Sequence, residues 1–135
     1  MQPALLLSLI LAASVSTLAL AEDKLTTVPV HFAKGASSAV LKGTFSGYDS
    51  VLYTLGAKAG QHMSVRINGS HNANFNVFAP GSQPGAATAL GSGSVGTDWS
   101  AELPASGAYS VQVYQPRATA RRGTAVPYSI EFQVK

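Results

Sequence analysis

The sequence predicts an all-β, single-domain antiparallel β-sandwich of about eight short strands. Three observations carry that reading. Apolar and polar residues alternate with a period of two in run after run, glycine-centred turns separate the runs, and no segment after Ala21 shows the spacing of an amphipathic helix. Successive side chains of a strand point to opposite faces, so each run buries one face and wets the other. Two sheets packed face to face bury all the apolar faces together.

In the first run Val28, Val30 and Phe32 alternate with Thr27 and His31. Less regular runs lie near 39–45 and 50–56, after which Met63, Val65 and Ile67 alternate with His62, Ser64, Arg66 and Asn68. Further runs fall near 73–79 and 97–103, and Tyr109, Val111 and Val113 then alternate with Ser110, Gln112 and Tyr114. The last run is the cleanest, with Tyr128, Ile130, Phe132 and Val134 set against Ser129, Glu131, Gln133 and Lys135. Turns are expected at Lys34-Gly35, Ser46-Gly47, Ala59-Gly60, Pro80-Gly81 and Ser106-Gly107, because glycine reaches the positive φ that tight turns need. The stretch Pro80 to Gly96 is rich in Gly, Ser, Ala and Pro, breaks the alternation, and reads as a long surface loop.

Residues 1–21 read as a cleaved secretory signal peptide, leaving 22–135 as the sandwich domain. Leu5 to Leu20 is apolar or small, and Ala19-Leu20-Ala21 supplies the A-x-A ending just before Glu22-Asp23. The apolar run falls short of the roughly 20 residues of a spanning helix. Export implies an oxidising compartment, yet the chain has 0 cysteines, so packing and hydrogen bonds alone must hold the domain, which suits a bacterial periplasm. The net charge of +3 comes from 9 Lys plus Arg and 6 Asp plus Glu, all of them beyond residue 21. That excess is local rather than a broad basic face interleaved with aromatics, so a single acidic partner fits better than a nucleic acid.

Most catalytic and metal patterns fail on context. Gly91, Gly93 and Gly96 satisfy the letters G-x-G-x-x-G, but no strand precedes them and no helix follows, so a flexible loop is expected instead of a phosphate cradle. His31, His62 and His71 lack paired spacing and there are no thiols, so no metal or cofactor is expected. Asp98 and Glu102 are spaced to share a strand face, but nothing around them builds the cleft of a glycosidase pair. No G-x-S-x-G is present, and the chain is not expected to be an enzyme.

The positive charge gathers in one connection. Gln115 to Thr124, QPRATARRGT, holds Arg117, Arg121 and Arg122 and no acid. Pro116 suits the first position of a short helical turn and Gly123 the position just past its end. In that shape Arg117 and Arg121, four apart, project on one side. Arginine's planar fork takes carboxylates bidentately, which makes an acid-seeking contact one reading of this loop. A solvated basic loop is the other.

The strings HFAKGASSAVLKGTFSGYDSVLYTLGAKAGQ and LPASGAYSVQVYQPRATARR, with VFAPG at Val77–Gly81 and the closing YSIEFQVK, decide more than the local chemistry. In order and spacing they resemble the periplasmic inhibitors of goose-type (g-type) lysozyme found in Gram-negative bacteria, over nearly the whole chain after residue 21. The resemblance implies a monomeric, non-enzymatic inhibitor that protects peptidoglycan from host lysozyme. It also implies a surface cluster of one tyrosine and two arginines, at places here occupied by Tyr48 of Gly47-Tyr48-Asp49, by Arg117 and by Arg121. Arg122 adjoins them as a further candidate contact, at a place that is merely basic in the family pattern. Inhibitors of other lysozyme types use an S-G-x-Y loop as a plug. Here Ser106-Gly107-Ala108-Tyr109 opens the series Tyr109, Val111, Val113, so Ser106 and Gly107 are expected to make a turn and Tyr109 to face the core.

The implied mechanism is occlusion. Lysozymes hydrolyse glycosidic bonds with carboxyl groups in a cleft, and an inserted arginine would pair with acid and block the sugar, with Tyr48 as the flat amphipathic anchor. The rival reading is a secreted carbohydrate- or peptidoglycan-binding β-sandwich module, for which Trp99 and Tyr114 are the candidate aromatic platform.

Overall fold

Strands with one apolar face are stable only when two such faces meet, and in this molecule two sheets do so. The computed structural model describes residues 23–135; the leader expected over residues 1–21 lies outside the described residues. Among the described residues the chain forms β1 (Leu25–Pro29), β2 (Ser38–Ser46), β3 (Ser50–Ala57), β4 (His62–Gly69), β5 (Asn74–Phe78), β6 (Gly91–Ser94), β7 (Trp99–Glu102), β8 (Gly107–Tyr114), the short helix α1 (Arg117–Ala120) and β9 (Ala125–Val134). One sheet has the order β1-β3-β8-β5-β6 and the other β2-β9-β4-β7. No helix among the described residues is long and apolar enough to cross a membrane.

The alternating runs become the two inner faces. Met63, Val65 and Ile67 of β4, and Val126, Tyr128, Ile130 and Phe132 of β9, meet Tyr53 and Leu55 of β3, Phe75 and Val77 of β5, and Tyr109, Val111 and Val113 of β8. Each fully buried side chain of this kind contributes roughly 1.5–3 kcal/mol, and with no disulfide this core carries the stability. The sheets are also joined by one polar contact: the phenol oxygens of Tyr53 and Tyr128 lie 2.6 Å apart in the core. Burial pushes both phenols above the ordinary tyrosine value.

The expected sandwich of about eight short strands is present, with nine in all. Three details need correction. Gly91–Ser94 forms edge strand β6 inside the stretch read as a loop. Gly91 and Gly93 sit there because the Trp99 ring covers one and the Phe75 ring the other, leaving no room for a Cβ. A flexible glycine loop is thus a close-packed edge. The third correction concerns β1, which ends at Pro29 instead of running on towards Phe32, and pairs parallel to β3 within an otherwise antiparallel sandwich.

Candidate functional site

Two connections cross between the sheets at the same end of the molecule. The first joins β2 to β3 and is a tight turn closed by Asp49 N donating to Ser46 O at 3.1 Å. Gly47 takes φ +60° there, a conformation that glycine adopts without strain, and Tyr48 is carried outward, 47% exposed. The Asp49 carboxylate accepts from Lys24 N at 2.8 Å, which ties the turn to the start of β1.

The second connection joins β8 to β9 and contains the arginines. Pro116 stands at the N-cap of α1, one place earlier than the first helical position its type suggested. Arg121 N donates to Arg117 O at 3.0 Å, Arg122 N to Thr119 O at 3.1 Å and Gly123 N to Ala120 O at 2.9 Å, so the loop is a wound turn. Ala120 points inward, 3% exposed; Arg117, Arg121 and Arg122 are exposed. Among the described residues the single ion pair joins Arg66 to Asp98 at 3.0 Å, so none of the three loop arginines has a carboxylate partner there.

The two connections touch. Gly47 N donates to Thr124 O at 3.2 Å, and the Gln115 Nε2 group donates to Gly47 O at 2.9 Å and to Thr124 O at 2.8 Å. A Cβ on Gly47 would stand 3.5 Å from Ala120 O, an ordinary contact, so the positive φ and not the space between the turns favours glycine there. Tyr48 and Arg121 line one open groove together with Lys24, Asp49 and Gly123. Arg117 does not line it and stands one helical turn before Arg121; Arg122 is its exposed neighbour. Tyr48 also borders a second depression of about 320 Å³, lined besides by Gly47, Asp49, Ser50, Asn76, Gln112, Tyr114 and Gln115. Electrostatically the groove holds both signs, Lys24 and Arg121 beside the Asp23 and Asp49 carboxylates. The excess positive charge comes from Arg117 and Arg122 on the same turn as Arg121, whose guanidinium groups are free to take a carboxylate.

Gln115 is the residue that sequence reasoning missed. Its signal was present, since 115 continues the inward series Tyr109, Val111, Val113 and a polar residue in that phase must find partners.

No family model matches the chain. A curated protein of Escherichia coli K12, the "Inhibitor of g-type lysozyme", is 36% identical over 108 residues, which is 80% of this chain and 80% of that protein. The chain belongs to the family of g-type lysozyme inhibitors. The crystal structure of PliG from Aeromonas hydrophila, a periplasmic inhibitor of g-type lysozyme, shares 62% identity, covers 84% of this chain and 99% of its own, and superposes with a TM-score of 0.82. PliG from Salmonella Typhimurium shares 32% identity, with coverage of 82% and 98% and a TM-score of 0.65.

Family membership makes this an inhibitor rather than an enzyme, and the remaining candidates fall into place around the fold. Asp98 is held by Arg66 on the surface, and among the described residues no cluster of His, Cys, Asp and Glu could hold a metal. Trp99 belongs to β7 of one sheet and packs against Gly91 and the core, whereas Tyr114 ends β8 of the other sheet, so the two do not form a shared platform. The S-G-x-Y segment lies at the opposite end of β3 and β8 from Tyr48: Gly107 pairs with Ala57, while Val113 pairs with Val51. Tyr109 is 0% exposed. Its hydroxyl donates to Ala105 O at 2.6 Å and accepts from Ala105 N at 3.2 Å, and Ser106 Oγ accepts from Ala59 N at 2.9 Å.

Proposed function

We propose that this inhibitor acts in the periplasm by placing the Tyr48 and arginine turns against the active-site cleft of g-type lysozyme, so shielding peptidoglycan from hydrolysis. The family supplies the target, and the observation that carries the mechanism is the shared groove of Tyr48 and Arg121, with Arg117 one helical turn away. Glycosidase clefts present carboxyl groups about the scissile bond. Guanidinium groups without acid partners of their own complement them, and bidentate pairing in a water-excluded cleft is stronger than at an open surface. Tyr48 adds rigid amphipathic contact area of the kind that dominates interfaces. Arg122, exposed beside Arg121, would serve encounter more than hold the complex, as rim charges do.

The experiment is a titration of g-type lysozyme lytic activity with the protein lacking residues 1–21, beside chicken-type and invertebrate-type enzymes. Stoichiometric inhibition of the g-type enzyme with little effect on the others is expected. Retention on purified peptidoglycan without any effect on lysozyme would support the binding-module reading instead.

A further inference from the structure

Gln115 is 6% exposed and follows three fully buried residues of β8 in the same phase. A carboxamide in such a place is tolerated only where its donors are met. Both oxygens that meet them belong to connections that bear proposed contact residues: Gly47 O in the Tyr48 turn and Thr124 O at the exit of the arginine turn. Thr124 O also accepts from Gly47 N, so a small ring of hydrogen bonds closes between two segments that are far apart in sequence. The chemistry selects a primary amide. A carboxylate would turn oxygens towards two carbonyl oxygens, a hydroxyl has one proton to give, and an aliphatic chain has none. The same demand fixes the orientation of the group, leaving Gln115 Oε1 buried and unpartnered among the described residues.

We propose that Gln115 is a positioning residue for lysozyme inhibition: it locks the Tyr48 turn and the arginine turn into one rigid body before the enzyme arrives. The proposal rests on the reading of Tyr48, Arg117 and Arg121 as the inhibitory surface. Gln115 itself is buried beneath that surface and acts through it. Apparent affinity scales with the fraction of free inhibitor already in the binding arrangement. Removing the clamp lowers that fraction without deleting a contact from the finished complex, so the loss falls on association.

The test is Gln115→Met, which keeps the bulk and removes the donors, with rate constants measured on immobilised g-type lysozyme and amide exchange followed at Gly47. Association is expected to fall about tenfold as the competent fraction falls, with dissociation within about twofold of wild type. Gly47 exchange should rise while the central amides of β4 and β9 keep their protection. General destabilisation lowers the melting temperature but leaves the association of a folded protein untouched. Wild-type association by folded Gln115→Met overturns the proposal, and so does a loss confined to dissociation. Where that variant does not fold, the wild-type protein answers by NMR relaxation: order parameters of about 0.85 are expected at Gly47, Tyr48 and Arg121, and values below about 0.6 overturn the clamp. Arg117→Ala and Arg121→Ala are run alongside. If both inhibit like wild type, the surface reading fails and takes this proposal with it. If both lose inhibition while Gln115→Met associates normally, the clamp alone fails.

Discussion

Arg121 donates its backbone amide to the carbonyl oxygen of Arg117 at 3.0 Å, which sets the two guanidinium-bearing side chains one helical turn apart on one side of α1. Like charges at that spacing repel by a few tenths of a kcal/mol, and among the described residues neither arginine forms an ion pair with a carboxylate. Arg117→Ala and Arg121→Ala are therefore each expected to weaken inhibition by about 2 kcal/mol, roughly 30-fold. Their melting temperatures should stay level or rise slightly. Inhibition titrations and thermal melts on the same samples check both halves, and a large fall in melting temperature would move these arginines from the interface to the fold.

Salt separates charge steering from shape. Raising ionic strength from about 0.1 to about 1 M shortens the screening length from about 10 to about 3 Å. The association rate with g-type lysozyme is expected to drop by about tenfold or more over that range, with a smaller change in dissociation. Stopped-flow or surface kinetics at several salt concentrations measure this directly; association indifferent to salt contradicts it.

The Tyr53–Tyr128 pair predicts a limit on alkaline stability. Desolvation raises both phenols; at Tyr128 the hydrogen bond with Tyr53 adds to the rise, and at Tyr53 the bond to Tyr128 partly offsets it. The folded state thus holds these protons more tightly than the unfolded chain. Their contribution is complete below about pH 10 and is lost as pH climbs towards the folded-state values. Urea unfolding should lose stability above about pH 10, and the Tyr53→Phe/Tyr128→Phe double variant should lose less of it. At neutral pH Tyr128→Phe alone strands the Tyr53 hydroxyl and is expected to cost about 1–3 kcal/mol, more than the double variant.

Tyr109 gives the cleanest contrast between fold and interface. Tyr109→Phe removes the two hydrogen bonds to Ala105 and is expected to cost about 1 kcal/mol of stability with inhibition unchanged. A folded Tyr109→Phe protein that no longer inhibits would make the S-G-x-Y end of the sandwich part of the interface.

Edge strand β6 is tested by Gly93→Ala. The new methyl would strike the Phe75 ring and the Thr97 carbonyl oxygen, so about 1–3 kcal/mol of destabilisation is expected. Denaturant unfolding at the wild-type m-value would show it.

Period-2 alternation made β4, β8 and β9 legible, because each of those strands has one face wholly inside. It could not reveal β6, where Gly91 and Gly93 have no side chains to alternate and the apolar surface is supplied by Trp99 and Phe75 from elsewhere. Nor does alternation carry direction, so the parallel pairing of β1 with β3 was invisible. The wound turn at Arg117 was readable from Pro116 and Gly123, which act locally. Tyr48 was not, since nothing near Gly47 says that its turn meets Thr124; only resemblance to a family brought it forward. Gln115 lay between these cases, with its phase in plain view and its two partners supplied by the fold.

The most direct test is inhibition of g-type lysozyme by a folded Arg117→Ala/Arg121→Ala double variant. Inhibition is expected to fall by at least about 100-fold while the melting temperature stays at or slightly above that of the wild type. Wild-type inhibition by that folded variant would mean that the arginine turn does not contact the enzyme.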